Sequence, residues 1–292
     1  MQLTLRHLRY FLALVEAGHF GRAAAAVGVT QPALSARIAE LEAITGLRLA
    51  ERHARGAAIT DAGRDLAARA TRILAAAAEV EAMADAYGGA LRGTLRLGII
   101  PSIAPYVVAR LLAGAAAAGL ALAVRETITE RLLAELEGGA LDAVLASAPL
   151  GRAGVAERLL GHDRFVLAVP PGCGDAERPP LVLLEEGHCL RDQAIAYCGV
   201  APPPPDSGVA SLRTLVELVA GGACTTLLPE LFVRARPEQA ARLRLVRFPD
   251  PQPARRIVLA WRGTDPRGRQ FERLGADMAG WLGYGEAGPP AA

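Results

Sequence analysis

The sequence predicts an α+β multi-domain protein: a small helical head, one long helix and an α/β body. Three observations carry this. Two helical patterns flank a tight Val27-Gly28-Val29 connector, residues 61–87 form a proline-free run of strong helix formers, and beyond Gly88, Gly89 and Gly93 short apolar strands alternate with helical stretches. With 292 residues, 52% hydrophobic and 21% charged, the chain can bury cores in two or three domains.

Leu5, Leu8, Phe11, Leu12 and Val15 recur at helical spacing, and FGRAAAAVG makes a second helix after Gly18. Beyond the glycine turn, Thr30 suits an N-cap, Pro32 a first turn, and Leu34, Ile38 and Leu41 form the inward stripe of a third helix. The unit is helix, short turn, helix. Residues 47–60, LRLAERHARGAAIT, are Arg-rich around Gly56 and read as a two-stranded wing. The helix over 61–87 would run about 40 Å at ~1.5 Å per residue. Leu66, Ile73, Val80 and Tyr87 repeat every seven positions, with Arg69 and Ala76 between them. So thin a seam wants a partner helix, the alternative being packing on the helix's own domain.

In the body, strands are expected at 95–100, 120–126, 143–147, 165–169, 181–184, 224–228 and 257–261, with helices at 106–118, 129–137 and 212–220. Strands separated by helices imply parallel sheets with crossovers, and ligand binding beyond the strand C-termini. PPPPD at 202–206 reads as a rigid surface turn, and GYGEAGPPAA at the end as a disordered tail. The expected organisation is a head over 1–60, the long helix over 61–87, a hinge over 88–93, the body over 94–282 and a tail over 283–292.

Composition excludes several classes. The longest uncharged apolar run, residues 111–124, has 14 residues, short of the roughly 20 that span a bilayer. The N-terminus mixes Arg and His among its apolar residues and lacks a signal-peptide pattern, so a cytoplasmic location without membrane association is expected. In that reducing setting Cys173, Cys189, Cys198 and Cys224 are poor material for a static disulfide framework. No spacing suggests zinc, and neither a metal nor a cofactor is expected. All 32 basic residues are Arg, and Lys and Asn are both absent, the mark of a GC-rich genome rather than of a nucleic-acid partner. Position is more telling: residues 1–60 carry seven Arg against four acids, whereas residues 94–292 carry 21 of each.

With its apolar stripe inward, the third helix projects Gln31, Pro32, Ser35 and Arg37 outward from its start, where base edges in a major groove would be read. Gln pairs with adenine, and Arg with guanine or phosphate. Arg52 and Arg55 in the wing would neutralise phosphates and position the head. The segment HFGRAAAAVGVTQPALSARIAELEAITGLRLAER resembles the LysR-type transcriptional regulators over about 30 positions, departing at Thr30, where Ser is usual, and at Ala50, often Phe. The resemblance implies an N-terminal winged helix-turn-helix contacting double-stranded DNA through Thr30, Gln31, Pro32, Ser35, Arg37, Arg52 and Arg55. It implies also a dimerising linker helix and a C-terminal two-subdomain α/β effector domain like a periplasmic binding protein. The assembly implied is a homo-oligomer, a dimer of dimers on an inverted repeat, working with RNA polymerase.

In the body, EEGHCLRDQAIAYC at 185–198, with GIIPSIAPY, LLAELEGGALDAVLA and TLLP, resembles the hydrogen-peroxide-sensing members of that family. That likeness implies a reversible Cys189–Cys198 disulfide controlling oxidative-stress genes, and a peroxide pocket of Ser102, Thr129, His188, Arg191, Asp192 and Arg255. The chemistry suits the parts. A thiolate needs cations nearby, which His188, Arg191 and Arg255 would supply, or Arg256 if the register slips by one. Hydroxyls orient the peroxide, although Ser102 and Thr129 could instead cap the helices that follow them. Nine residues of helix would hold the two cysteines ~13 Å apart, against the ~7 Å limit between disulfide Cα atoms, so bond formation must remodel the segment. Ser102 stands where Thr is common, Cys224 where Gly is, and the stretches 170–181 and 199–211 are shortened or altered. Two alternatives remain: a small metabolite sensed in the cleft of the α/β domain, or a two-cysteine thiol peroxidase.

Overall fold

The computed structural model describes residues 2–53, 56–87, 91–174, 178–185 and 209–284. The chain divides into two compact units, Met1–Ala84 with Glu137–Ala140, and Asp85–Leu136 with Leu141–Ala292.

The first unit opens with α1 (Leu5–Ala17), α2 (Phe20–Ala26) and α3 (Gln31–Thr45). Thr4 and His7 form a capping box at the start of α1, and Gly18 ends it in the left-handed conformation at φ 60°. Thr30 caps α3 by accepting from the Ala33 amide at 3.4 Å, with Pro32 in the first turn. Leu8, Phe11 and Leu14 of α1 pack against Leu34, Ile38 and Leu41 of α3, none more than 3% exposed. Strands β1 (Ala50–His53) and β2 (Gly56–Ile59) pair antiparallel as the expected wing, Arg52 opposite Ala57. Glu42 holds the wing's entry to α3, its carboxylate accepting from the amides of Leu49 and Ala50 at 2.8 and 3.3 Å. Gly56 sits at φ 148°, and a side chain there would strike the Gly18 carbonyl.

Helix α4 (Asp61–Tyr87) covers the expected 27 residues. Ala70 is buried in the head core and Leu66 and Leu74 pack beside it, so Leu66 leaves the seam; Ile73, Val80 and Met83 are 43%, 68% and 44% exposed.

The second unit runs β3 (Thr94–Ile99), α5 (Ala104–Ala117), β4 (Ala121–Glu126), α6 (Thr129–Glu137), β5 (Ala143–Ala148) and β6 (Val155–Val169). It continues with α7 (Leu212–Ala220), β7 (Thr226–Pro229), α8 (Glu230–Ala235), α9 (Pro237–Ala240), β8 (Arg244–Arg247), β9 (Ala254–Arg262) and α10 (Gly268–Leu282). The strand order is β4-β3-β5-β9-β6-β7, with β8 also on β6. Among the described strands β3 is parallel to β4 and β5, whereas β9 is antiparallel to β5 and β6, and β6 to β7 and β8. The expected parallel sheets are thus corrected to mixed pairing. Apolar runs reveal that a strand exists but not its direction, which depends on whether the chain returns by a crossover.

Other expectations shift with it. The strand expected at 165–169 is the last third of a 15-residue strand, whose first part, VAERLLGHDR, is too charged to read as one. Residues 181–184 make only isolated bridges, Leu181 to Thr225 and Leu184 to Val209. Helices α8, α9 and α10 and strand β8 were not expected. Tyr284, placed by sequence in the tail, packs its ring against Gly161 of β6, while residues 285–292 and the 202–206 turn lie outside the described residues.

Strand β6 changes partner midway. Through Arg164 it pairs with β9, and from Phe165 onward with β7. Two cores follow, one around Leu97, Val144, Leu145, Leu259 and Phe271, the other around Phe165, Leu215, Val216, Leu228 and Phe232. Beside the first core lies an ionic lattice built on two buried carboxylates. Asp142 accepts from Arg96 at 2.9 Å and Arg267 at 3.0 Å, while Asp265 joins Arg267 and Arg262 at 2.9 and 3.0 Å. Arg262 also donates to the carbonyls of Leu136 and Leu141, tying the end of α6 to the start of β5. Among the described residues no helix is long and apolar enough to cross a membrane, and no His, Cys, Asp and Glu group is arranged to hold a metal.

Candidate DNA-reading and signal-sensing sites

On α3 the sequence-predicted reading residues stand at the helix start. Gln31, Pro32 and Arg37 are exposed, Ser35 is half-buried, and Thr30 caps the helix. Arg37 is already engaged: its Nη1 donates to Glu40 Oε2 at 2.6 Å, and the same oxygen lies 3.1 Å from His7 Nε2. Because His7 Nδ1 accepts from the Thr4 amide at 3.2 Å, the neutral ring carries its proton on Nε2 and donates it to Glu40. Hydrogen bonds from His7 and Arg37 hold the Glu40 carboxyl below the usual carboxylate range. His7 and Glu40 were not expected from sequence, since their contact joins α1 to α3 across 33 residues. Arg52 lies in β1, but its side chain and the whole of Arg55 lie outside the described residues.

Of the expected pocket in the body, Cys189, Cys198, His188, Arg191 and Asp192 lie outside the described residues. The remaining three are placed differently from one another. Ser102, in the β3–α5 loop, and Arg255, on β9, come together: Arg255 Nη1 donates to Ser102 Oγ at 2.7 Å and Nη2 to its carbonyl at 3.1 Å. Ser102 does not cap α5, whose N-cap is Ile103 with no side-chain bond. Thr129 opens α6, its Oγ1 buried with no partner among the described residues, and it does not border the cavity that Ser102 lines. The alternative Arg256 is exposed, whereas Arg255 is buried.

Arg255 is paired with a buried carboxylate. Asp163 of β6 faces it across the β6–β9 ladder, with Oδ2 3.0 Å from both Nε and Nη2, and neither side chain has any exposure. The other carboxylate oxygen accepts from the Leu231 amide at 2.8 Å, near the start of α8. Close by, burial and the Asp163 charge push the Tyr284 hydroxyl up to about 12. Asp163 was not expected because its strand was not; a charged residue midway along a partly apolar stretch was the only signal.

Ser102 opens onto a cavity of about 330 Å³ bordered also by Tyr106, Glu126, Ser211, Arg213 and Arg236. Burial pushes the Tyr106 hydroxyl up, and its ring meets Phe232 edge-on at 5.6 Å with the Arg236 guanidinium 6.0 Å from its centre. Ser211 caps α7, accepting from the Arg213 amide at 3.2 Å. Cys173 is half-buried, and Cys224 is buried with its thiol pushed up by that burial, an unreactive setting.

An exposed reading helix with a wing, followed by an α/β body holding a buried polar centre beside a cavity, defines a DNA-binding transcriptional regulator with a separate domain to receive a signal. The family models agree: residues 5–64 match the bacterial regulatory helix-turn-helix protein, lysR family, and residues 88–278 the LysR substrate binding domain. The chain belongs to the LysR family, whose regulators bind DNA through this head and are oligomeric. A probable hydrogen peroxide-inducible genes activator from Streptomyces viridosporus is 43% identical, the match covering 95% of this chain and 94% of that protein. The DNA-binding transcriptional dual regulator OxyR of Escherichia coli K12 is 33% identical over 93% of each chain. Among solved structures, a cysteine-to-aspartate variant of full-length Pseudomonas aeruginosa OxyR matches with a TM-score of 0.76 at 29% identity, over 95% of this chain and 98% of that one. A cysteine-to-serine variant of Corynebacterium glutamicum OxyR with bound hydrogen peroxide matches at 0.64 and 30% identity, over 97% and 94%.

Proposed function

We propose that this regulator senses hydrogen peroxide through Cys189 and Cys198 and controls oxidative-stress genes. The observation that carries the reading is the 43% identity, along nearly the whole chain, to a protein named for peroxide-inducible genes. The pairing of Ser102 with Arg255 beside a cavity supports it. The Cys189 thiolate attacks one peroxide oxygen: the S–O bond forms, the O–O bond breaks, and the departing hydroxide takes a proton and leaves as water. The Cys198 thiol then attacks the sulfenic sulfur, forming the disulfide and releasing a second water, so that two thiols are oxidised as one peroxide is reduced. Ser102, Thr129, His188, Arg191, Asp192 and Arg255 form the pocket for the first step. Residues 1–60 bind DNA, 61–87 pair two chains, 88–93 act as a hinge, 94–282 sense the signal and 283–292 form a tail. Thr30, Gln31, Pro32, Ser35, Arg37, Arg52 and Arg55 contact the duplex, the active form is a dimer of dimers in the cytoplasm, and its readout passes through RNA polymerase.

Stoichiometric peroxide followed by peptide mass analysis tests the chemistry. A 189–198 disulfide is expected in the wild type, an oxidised Cys189 in Cys198→Ser, and neither in Cys189→Ser. Oxidation carried by Cys173 or Cys224, or a Cys189→Ser protein that still answers peroxide in a reporter assay, would overturn it.

One observation favours a second reading, a small anionic metabolite as effector: the cavity is far larger than a peroxide needs and is bordered by Arg213 and Arg236. A peroxide-insensitive protein whose operator binding changes with a small carboxylate would establish that reading instead.

A further inference from the structure

We propose that Asp163 is the positioning residue of the signal centre, holding Arg255 so that Ser102 is left as a hydrogen-bond donor to a peroxide oxygen in the cavity; this rests on the peroxide reading above. A guanidinium can only donate, so in its 2.7 Å bond with Arg255 the Ser102 hydroxyl must accept. The hydroxyl has one proton, and that proton has no acceptor among the described residues. Ser102 is 3% exposed and lines the cavity, so its proton is a buried donor open to an acceptor in that cavity. Such a donor serves the reaction at one point, by hydrogen-bonding the oxygen that leaves as the O–O bond breaks and negative charge gathers on it.

Asp163 makes this arrangement single-valued. A guanidinium with five N–H groups could turn several ways toward a serine. Here Nε and Nη2 both lie 3.0 Å from Asp163 Oδ2, and the carboxylate cannot turn because Oδ1 is bound by the Leu231 amide at 2.8 Å. The pair is set by register, since Asp163 and Arg255 are direct partners across the ladder at the place where β6 passes from β9 to β7. One chain of bonds therefore runs from the α8 backbone through Asp163 and Arg255 to the Ser102 hydroxyl. It also leaves the centre without net charge, so Arg255 acts through geometry rather than as a bare cation.

The test compares two reagents at Cys189 in the full-length chain, hydrogen peroxide, which needs a donor at its leaving oxygen, and iodoacetamide, which does not need this one. Asp163→Asn and Ser102→Ala should each lower the ratio of the peroxide to the iodoacetamide rate constant by about tenfold or more, while Ser102→Thr keeps the wild-type ratio. Because both act through the same hydroxyl, the double variant should lose no more than either alone. Should Asp163→Asn fail to fold, Asp163→Glu, which keeps the charge but displaces the carboxylate, should give an intermediate ratio. An unchanged ratio in whichever Asp163 variant folds, equal slowing by both reagents, or losses that multiply in the double variant would overturn the proposal. A wild-type Cys189 that alkylates but is not oxidised by peroxide would overturn the peroxide reading itself, and the role of Asp163 with it.

Discussion

Asp163 and Arg255 stand opposite each other on adjacent antiparallel strands and close an ion pair with no solvent exposure on either side. Removing either partner alone leaves a buried charge without its counter-ion, whereas removing both leaves a site that apolar side chains can fill. Arg255→Met or Asp163→Leu alone should therefore cost about 3 to 5 kcal/mol in chemical denaturation, and the double replacement much less than their sum. Additive losses would show that the two side chains do not depend on each other.

The Asp142 lattice predicts how the body responds to acid. Burial works against the Asp142 charge, but hydrogen bonds from Arg96 and Arg267 outweigh it and hold the carboxyl below its ordinary value. A depressed folded-state value contributes stability that is present above the unfolded value, near pH ~3.9, and is lost as pH falls through the lower folded one. Denaturation midpoints should drop below about pH 4 in the wild type and fall less steeply there in Asp142→Asn, which starts out less stable at neutral pH. Parallel curves for the two proteins would exclude Asp142 as a source of the acid sensitivity.

On DNA, Gln31, exposed at the start of α3, and Arg52 of the wing should behave differently. Gln31→Ala should cost about 1 to 3 kcal/mol on the specific site and little on random duplex. Arg52→Ala should weaken both and flatten the salt dependence. Equal losses on both DNAs for Gln31→Ala would mean that α3 does not read bases.

Ile73 and Val80 lie seven residues apart on α4, 43% and 68% exposed. Exposed aliphatic side chains at heptad spacing are what a partner helix covers. Val80→Asp should give monomers at micromolar concentration in sedimentation and lower affinity for an inverted repeat, since the two heads would no longer be tethered. An oligomer unchanged by Ile73→Asp and Val80→Asp together would place the pairing surface elsewhere.

What the sequence by itself determined is local. Capping at Thr30, the Leu34, Ile38 and Leu41 stripe, the wing around Gly56 and the 27-residue helix all follow from neighbours a few residues apart, and all appear where the pattern places them. Ser102 and Arg255 could be singled out as candidates, but not as partners, because 153 residues separate them. Tertiary structure alone decided that β9 returns antiparallel between β5 and β6, and that this register brings Asp163 to Arg255. It decided likewise that His7 reaches Glu40 from another helix. The physical reason is that burial is what makes these polar contacts necessary. A charge or hydroxyl removed from water must find its partner wherever packing has brought one, and spacing along the chain carries no record of that.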